Sequence, residues 1–185
     1  QLVGPQAVLV APRRPVYAAA SRRVFEIIAQ RVSVVEQLSI DEAFLEPDAL
    51  TDASVEAVTD WANELRAAIR TETGLPSSIG AGSGKQYAKI GSGLAKPDGV
   101  FVIPHAEQLS ILHPLPVSEL WGVGPVTGAK LAAARIETIG DLAHLSEKEV
   151  EISLGGAVGK QLWALAQGVD ERPVAPRAES KQVSS

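Results

Sequence analysis

The spacing of apolar residues changes character once along this chain, at Pro104, and that change limits the possible folds more than any other feature. Before it, segments with helical and strand periodicity alternate. After it, from His105 to Asp170, short helical pieces follow one another between glycine and proline breaks. A mixed α+β unit leading into a small all-helical unit is the architecture that this order predicts.

In the first unit, Tyr17, Ala20, Val24, Ile27 and Ile28 recur at helical spacing between Val16 and Gln30, with Arg22, Arg23 and Glu26 on the wet side. Val32 to Leu38 is β-rich and Asp41 to Leu45 reads as a second short strand, so Val34 to Leu45 is expected to form a hairpin with its tip near Ser39-Ile40-Asp41. Ser54 can cap a helix whose Val55, Val58, Ala62, Leu65 and Ile69 make one stripe, with Glu56 in the first turn and Arg70 in the last. That helix stops near Gly74-Leu75-Pro76. Ser77 to Ala81, a helix over Gln86 to Ala95, and a strand over Val100 to Ile103 complete the unit. The order fits a partial split-βαβ (ferredoxin-like) sheet with helices on one face. In the second unit the helical pieces are Glu107 to Leu112, Val117 to Trp121, Pro125 to Ala134, Ile139 to His144, Glu147 to Leu154 and Val158 to Ala166. Residues 1–15, with three prolines and a strand-like run from Gln6 to Val10, read as an entry segment, and residues 172–185, with Pro173 and Pro176, as a linker.

Composition narrows the chemistry. A hydrophobic content of 45% over 185 residues is that of a chain with a core, and no run approaches the roughly 20 apolar residues of a membrane span, so the reading is a soluble, cytoplasmic protein. With no cysteine, disulfides and thiolate chemistry are excluded; His105, His113 and His144 are scattered and do not suggest a metal site. The net charge of −5 argues against nucleic-acid binding by bulk electrostatics, so any DNA contact must come from local geometry.

Adjacent carboxylates at Asp41-Glu42 are unusual in a strand context, where acidic residues are depleted. Neighbouring strand residues point to opposite faces, so both can serve one centre only where a strand begins or bends. The hairpin tip is such a place, and two clustered carboxylates suit a hard divalent cation such as Mg²⁺. A solvated turn is the competing reading. Gly80-Ala81-Gly82-Ser83-Gly84-Lys85 invites comparison with a phosphate loop, but Ile79 stands where that loop needs its first glycine and Gln86 where it needs Ser or Thr. A glycine-rich turn before a helix is the better reading. Leu120-Trp121-Gly122-Val123-Gly124-Pro125-Val126-Thr127 is patterned as a helix-hairpin-helix, whose glycine turn offers backbone N–H groups to a DNA phosphate without reading sequence; an αα-hairpin that merely turns the chain is the alternative.

Ser39-Ile40-Asp41-Glu42-Ala43-Phe44-Leu45 resembles a signature of the Y-family (translesion) DNA polymerases, and the segment from Tyr87 to Gly99, with Ala95-Lys96-Pro97, resembles another at the right distance. Tyr17 and Ser21 match the start of that family's first palm helix. The resemblance implies a palm over 16–104 and a thumb over 105–171, with 1–15 ending the fingers and 172–185 leading to a little-finger domain. It implies Asp41 and Glu42 as catalytic ligands of two Mg²⁺ ions, and Lys96 as the partner of the incoming nucleotide's triphosphate. Gly122, Val123, Gly124, Thr127 and Lys130 become DNA contacts, with Gly155 to Lys160 a second glycine turn and Lys160 an auxiliary contact. Lys89 is left without a role. Primer-template DNA and a dNTP are the implied partners, with a sliding clamp reached through a further C-terminal region. A third metal-binding aspartate and a steric-gate aromatic, which the family carries on an N-terminal strand, are not found in this sequence, so the 185 residues are expected to be inactive alone. The family's usual asparagine and alanine are replaced here by Gly84 and Gly91. Two rivals are a non-enzymatic DNA-binding module, which should carry a basic helical unit whereas residues 105–185 hold seven Lys and Arg against ten Asp and Glu, and an inactive scaffold paralogue, which typically loses the carboxylates kept here.

Overall fold

The computed structural model describes Val8 and residues 10–175; the run from Gln6 to Val10 and the end of the linker fall largely outside the described residues. Helix α1, Arg14–Ala29, carries Pro15 in its first turn, where a fixed backbone angle and a missing N–H are tolerated. It leads into an antiparallel hairpin of β1, Val34–Gln37, and β2, Ala43–Glu46, in which Glu36 pairs with Phe44. Helix α2, Val55–Thr73, begins as its sequence suggests: the Ser54 hydroxyl accepts the N–H of Ala57. Strand β3, Ile79–Ala81, helix α3, Lys85–Leu94, and strand β4, Val100–Val102, form a parallel crossover unit with Gly80 opposite Phe101. Among the described residues the strands stand as two separate two-stranded ladders. An open cleft of about 1350 Å³ is lined from both of them.

The helical part comprises α4, Gln108–Leu112; α5, Pro125–Ala133; α6, Ile139–Ala143; α7, Glu147–Leu154; and α8, Gly156–Ala166. Helices α6 and α7 open on capping boxes, Thr138 with Asp141 and Ser146 with Glu149, each pair satisfying two helix-end N–H groups. Val117 to Trp121, expected as a helix, is a 3₁₀ turn over Val117–Glu119, because Pro116 precedes it and the chain extends again at Leu120. The architecture is therefore α+β followed by all-α, as the periodicity indicates.

Two apolar clusters hold the chain together. One joins Ile27 and Ile28 of α1 to Leu65 and Ile69 of α2, with Val35, Leu45 and Ile79 against them. The larger runs without interruption across Pro104: Tyr87 and Ile90 of α3 and Ile103 pack with Leu112, Leu120, Leu131, Leu142 and Leu162. Helix α3 reaches its strand so closely that residue 80 must be glycine, since a Cβ there would lie 2.0 Å from the backbone nitrogen of Ser92.

Candidate active site

The carboxylate pair sits on the turn between β1 and β2, because the strand expected from Asp41 begins two residues later, at Ala43. Ser39 shapes that turn. Its hydroxyl donates to Asp41 Oδ1 at 2.6 Å and accepts the N–H groups of Asp41 and Glu42 at 3.3 and 3.1 Å, while the Glu42 carbonyl accepts the N–H groups of Leu38 and Ser39. Such a serine-centred turn takes both acidic residues out of strand alternation, which frees both side chains toward solvent. Asp41 and Glu42 are exposed and line the cleft. Lys89, on α3, donates to Glu42 Oε1 at 2.5 Å.

Lys96 is exposed, lines the same cleft and pairs with no carboxylate among the described residues. It follows the end of α3 and is joined to Pro97 by a cis peptide bond. The next acid, Asp98, ties this turn to α2: Oδ1 accepts from Arg66 at 2.7 Å and Oδ2 from Arg70, and these bonds hold the Asp98 carboxyl below the usual carboxylate range, Arg66 first. Arg66 also donates to the Ser77 carbonyl at 2.8 Å.

The glycine turn lies away from the cleft. Gly122 has φ +102°, a left-handed value that a side chain would strain, and Gly124 opens α5 with no side-chain cap. Pro125 has no N–H, and those of Val126 and Thr127 donate to no described group, so the helix start presents free donors to solvent. Gly122 and Gly124 are exposed, Val123 and Thr127 half-buried, and Lys130 is exposed and unpaired among the described residues. Lys160, by contrast, is engaged with Glu151 at 3.1 Å and Glu147 at 3.8 Å. Lys85, in the segment that resembled a phosphate loop, is buried and paired with Glu36, which removes it from any phosphate role.

Sequence reading overlooked Ser39, Trp121 and Asp170. The serine had a local signal, as the first residue of a turn before two acids. Trp121 stood in a motif whose glycines drew the attention, and Asp170 acts on residue 86 with no local pattern to announce it.

A family model described as the impB/mucB/samB family matches residues 1–93, and one described as the thumb domain of DNA polymerase-iota matches residues 118–170. The chain belongs to the impB/mucB/samB family, that of the Y-family DNA polymerases. Within it the similarity is to DNA polymerase IV: identity is 56% over 183 residues with that of Corynebacterium diphtheriae, covering 99% of this chain and 41% of the relative. With that of Streptomyces coelicolor it is 41% over 183 residues, covering 98% and 38%. Among solved structures, the insertion ternary complex of Dbh DNA polymerase matches with a TM-score of 0.83 and 29% identity, over 92% of this chain and 49% of that one. DinB from Sulfolobus solfataricus gives 0.82 and 29%, over 92% and 50%. The chain spans half or less of the length of these relatives. No helix among the described residues is long and apolar enough to cross a membrane.

Proposed function

We propose that this chain supplies the palm, over 16–104, and the thumb, over 105–171, of a cytoplasmic DNA polymerase that extends primers past damaged template bases. The reading is supported by two adjacent, exposed carboxylates, Asp41 and Glu42, on the turn between β1 and β2, with Lys96, unpaired among the described residues, lining the same wide cleft. Two adjacent, exposed carboxylates fit an oxygen-preferring divalent cation such as Mg²⁺, and no third His, Cys, Asp or Glu joins them among the described residues, so the remaining ligands come from outside those residues, from substrate or from water. When bound, two such ions would stabilise the attacking and leaving oxygens of phosphoryl transfer.

The chain's own residues have separable tasks. Asp41 and Glu42 would hold the cations, Glu42 giving up its contact with Lys89 to do so. Lys96 places a point charge against the triphosphate of the incoming dNTP, which favours departure of pyrophosphate. The primer 3′-hydroxyl attacks the α-phosphate, so positioning of the duplex matters as much as charge. Gly122 to Gly124, with the N–H groups of Val126 and Thr127 and with Lys130, grips a duplex phosphate irrespective of sequence. Contact with a sliding clamp would lie beyond these residues.

Primer extension by the full-length protein on an intact and a lesion-bearing template tests the reading. Asp41→Asn and Glu42→Gln should each lower single-nucleotide addition by at least about a hundredfold with unchanged melting temperature, the scale on which a lost transition-state interaction acts. Unchanged extension in either variant at saturating Mg²⁺ would remove the metal-ligand assignment.

A further inference from the structure

The two functional elements are in contact through their aromatic neighbours. Phe44, two residues beyond Glu42 and buried, stacks on Trp121, the residue before Gly122, with ring centroids 5.2 Å apart and planes 27° from parallel. Cations close the stack at both ends: the Lys85 ammonium lies 5.5 Å from the Phe44 ring centre and the Arg172 guanidinium 4.7 Å from that of Trp121. Neither cation is free to wander. Lys85 pairs with Glu36, which also accepts the N–H of Ala175 at 2.9 Å, and Arg172 forms a two-point pair with Asp170 at 2.6 and 2.7 Å.

Backbone clamps hold the same junction. The Gln86 amide, 1% exposed, accepts the N–H of Trp121 at 3.0 Å and donates to the Glu119 carbonyl at 3.1 Å, gripping the segment that enters the glycine turn. Gly84 has no side chain with which to cap α3, and Asp170 does so from 84 residues away, its Oδ2 accepting the N–H of Gln86 at 2.8 Å. An exposed ion pair contributes little, but the Asp170 side chain is only 2% exposed and Gln86 is buried, so their bonds cannot be exchanged for water without cost.

Resting on the proposed function, we infer that the Lys85–Phe44–Trp121–Arg172 stack, braced by Gln86 and Asp170, is a spacer that fixes the glycine turn relative to the carboxylate turn. Trp121 and Gln86 are then positioning residues for nucleotide addition. A duplex gripped by phosphate at Gly122 to Gly124 is held with its primer end at a set distance from Asp41 and Glu42. Loosening the stack leaves the phosphate grip intact and misplaces the primer terminus, and a misplacement near 1 Å can cost on the order of a hundredfold in rate.

The test uses the full-length protein carrying Trp121→Leu, Trp121→Phe or Gln86→Met. Single-turnover addition at saturating primer-template and dNTP should fall about tenfold or more in the Leu and Met variants and stay within about twofold of the parent in the Phe variant, which keeps an aromatic face. The salt dependence of duplex binding, by fluorescence anisotropy, should keep its log–log slope within about 0.5, since no phosphate contact is removed. Equal losses in the Phe and Leu variants, unchanged rates in all three, or a slope shallower by about one would overturn the inference. A parent protein that never extends a primer would refute the proposed function instead. The spacer is then judged in this 185-residue chain by hydrogen exchange: Gln86→Met should speed exchange at residues 39–44 and 122–128 together, and a change confined to one segment, or absent from both, rejects the coupling.

Discussion

Gly80→Ala gives the most direct reading of how α3 is seated, and α3 carries Lys89 and ends at the Lys96 turn. A Cβ at residue 80 would lie 2.0 Å from Ser92 N, 2.1 Å from Ala88 O and 2.4 Å from Gly91 C, all backbone atoms of the helix, against an ordinary contact of 3.4–4 Å. Rotating a side chain cannot relieve this, so helix and strand must part by more than an ångström. Overpacking a tight site costs typically about 1–3 kcal/mol, and three backbone collisions put this change at or above about 3 kcal/mol. For a chain of this size that lowers the melting temperature by about 6–12 °C. Two neighbours calibrate the result. Gly93→Ala, on the same helix with nothing within 4 Å of its Cβ, should raise stability by up to about 1 kcal/mol through helix propensity. Gly91→Ala meets Phe101 O at 2.8 Å and Gly80 Cα at 3.1 Å and should fall between the two. Urea and thermal unfolding followed by circular dichroism rank the three. Gly80→Ala melting within about 2 °C of the parent, or no different from Gly93→Ala, would refute the seating described here.

Lys96→Ala in the full-length protein should raise KM for dNTP and lower kcat/KM about tenfold or more while primer-template affinity holds, as steady-state kinetics beside anisotropy would show; weakened DNA binding with normal dNTP use would reverse its role. For the 185-residue chain, duplex binding should be weak and indifferent to sequence, with a log–log salt slope of about −1 to −2, and a slope steeper than about −4 would demand cationic contacts that this fold lacks. Acid should destabilise the chain. The Asp98 carboxyl is held below its ordinary value by Arg66 and Arg70, that of Asp141 by Thr138, and that of Glu149 by Ser146; burial would raise Asp170, but Arg172 and the Gln86 N–H outweigh it. Each depressed carboxyl binds fewer protons folded than unfolded, so its contribution is complete above the unfolded value near 4 and is lost as pH falls through the folded one. The urea midpoint should be level from pH 7 to about 5 and drop below about 4, and a midpoint that rises on acidification would contradict the sign.

Helices were legible where local chemistry decides them. Ser54 announces a helix start that the structure fulfils, the pieces read from Ile139 and Glu147 begin at those residues, and the stripe of Ala62, Leu65 and Ile69 is the buried side of α2. The carboxylate turn was legible as a place but not as a geometry: nothing in a two-residue period shows that a hydroxyl at Ser39 will draw Asp41 and Glu42 out of the strand. The helical reading of Val117 to Trp121 failed because its apolar spacing serves a 3₁₀ turn flanked by Pro116 and Gly122 equally well. Asp170 lay beyond reach, since capping α3 from across the chain leaves no mark near either partner.

The uninterrupted core across Pro104 bears on how such a chain can be cut and recombined. Tyr87, Ile90, Phe101 and Ile103 find their cover among residues that follow Pro104, and Leu112, Leu120 and Leu162 find part of theirs among residues that precede it. A split there yields two halves that each expose a sticky apolar face, and a chimera joined there sets side chains from different ancestors against one another in the larger apolar cluster. The segment between α2 and β3, Gly74 to Ser78, separates residues that serve mainly the smaller cluster from those that serve the larger. Exchange of parts between relatives at that loop leaves the larger cluster whole, and the pairs that must still agree across it are Phe44 with Trp121 and Ile79 with Leu65 and Ile69.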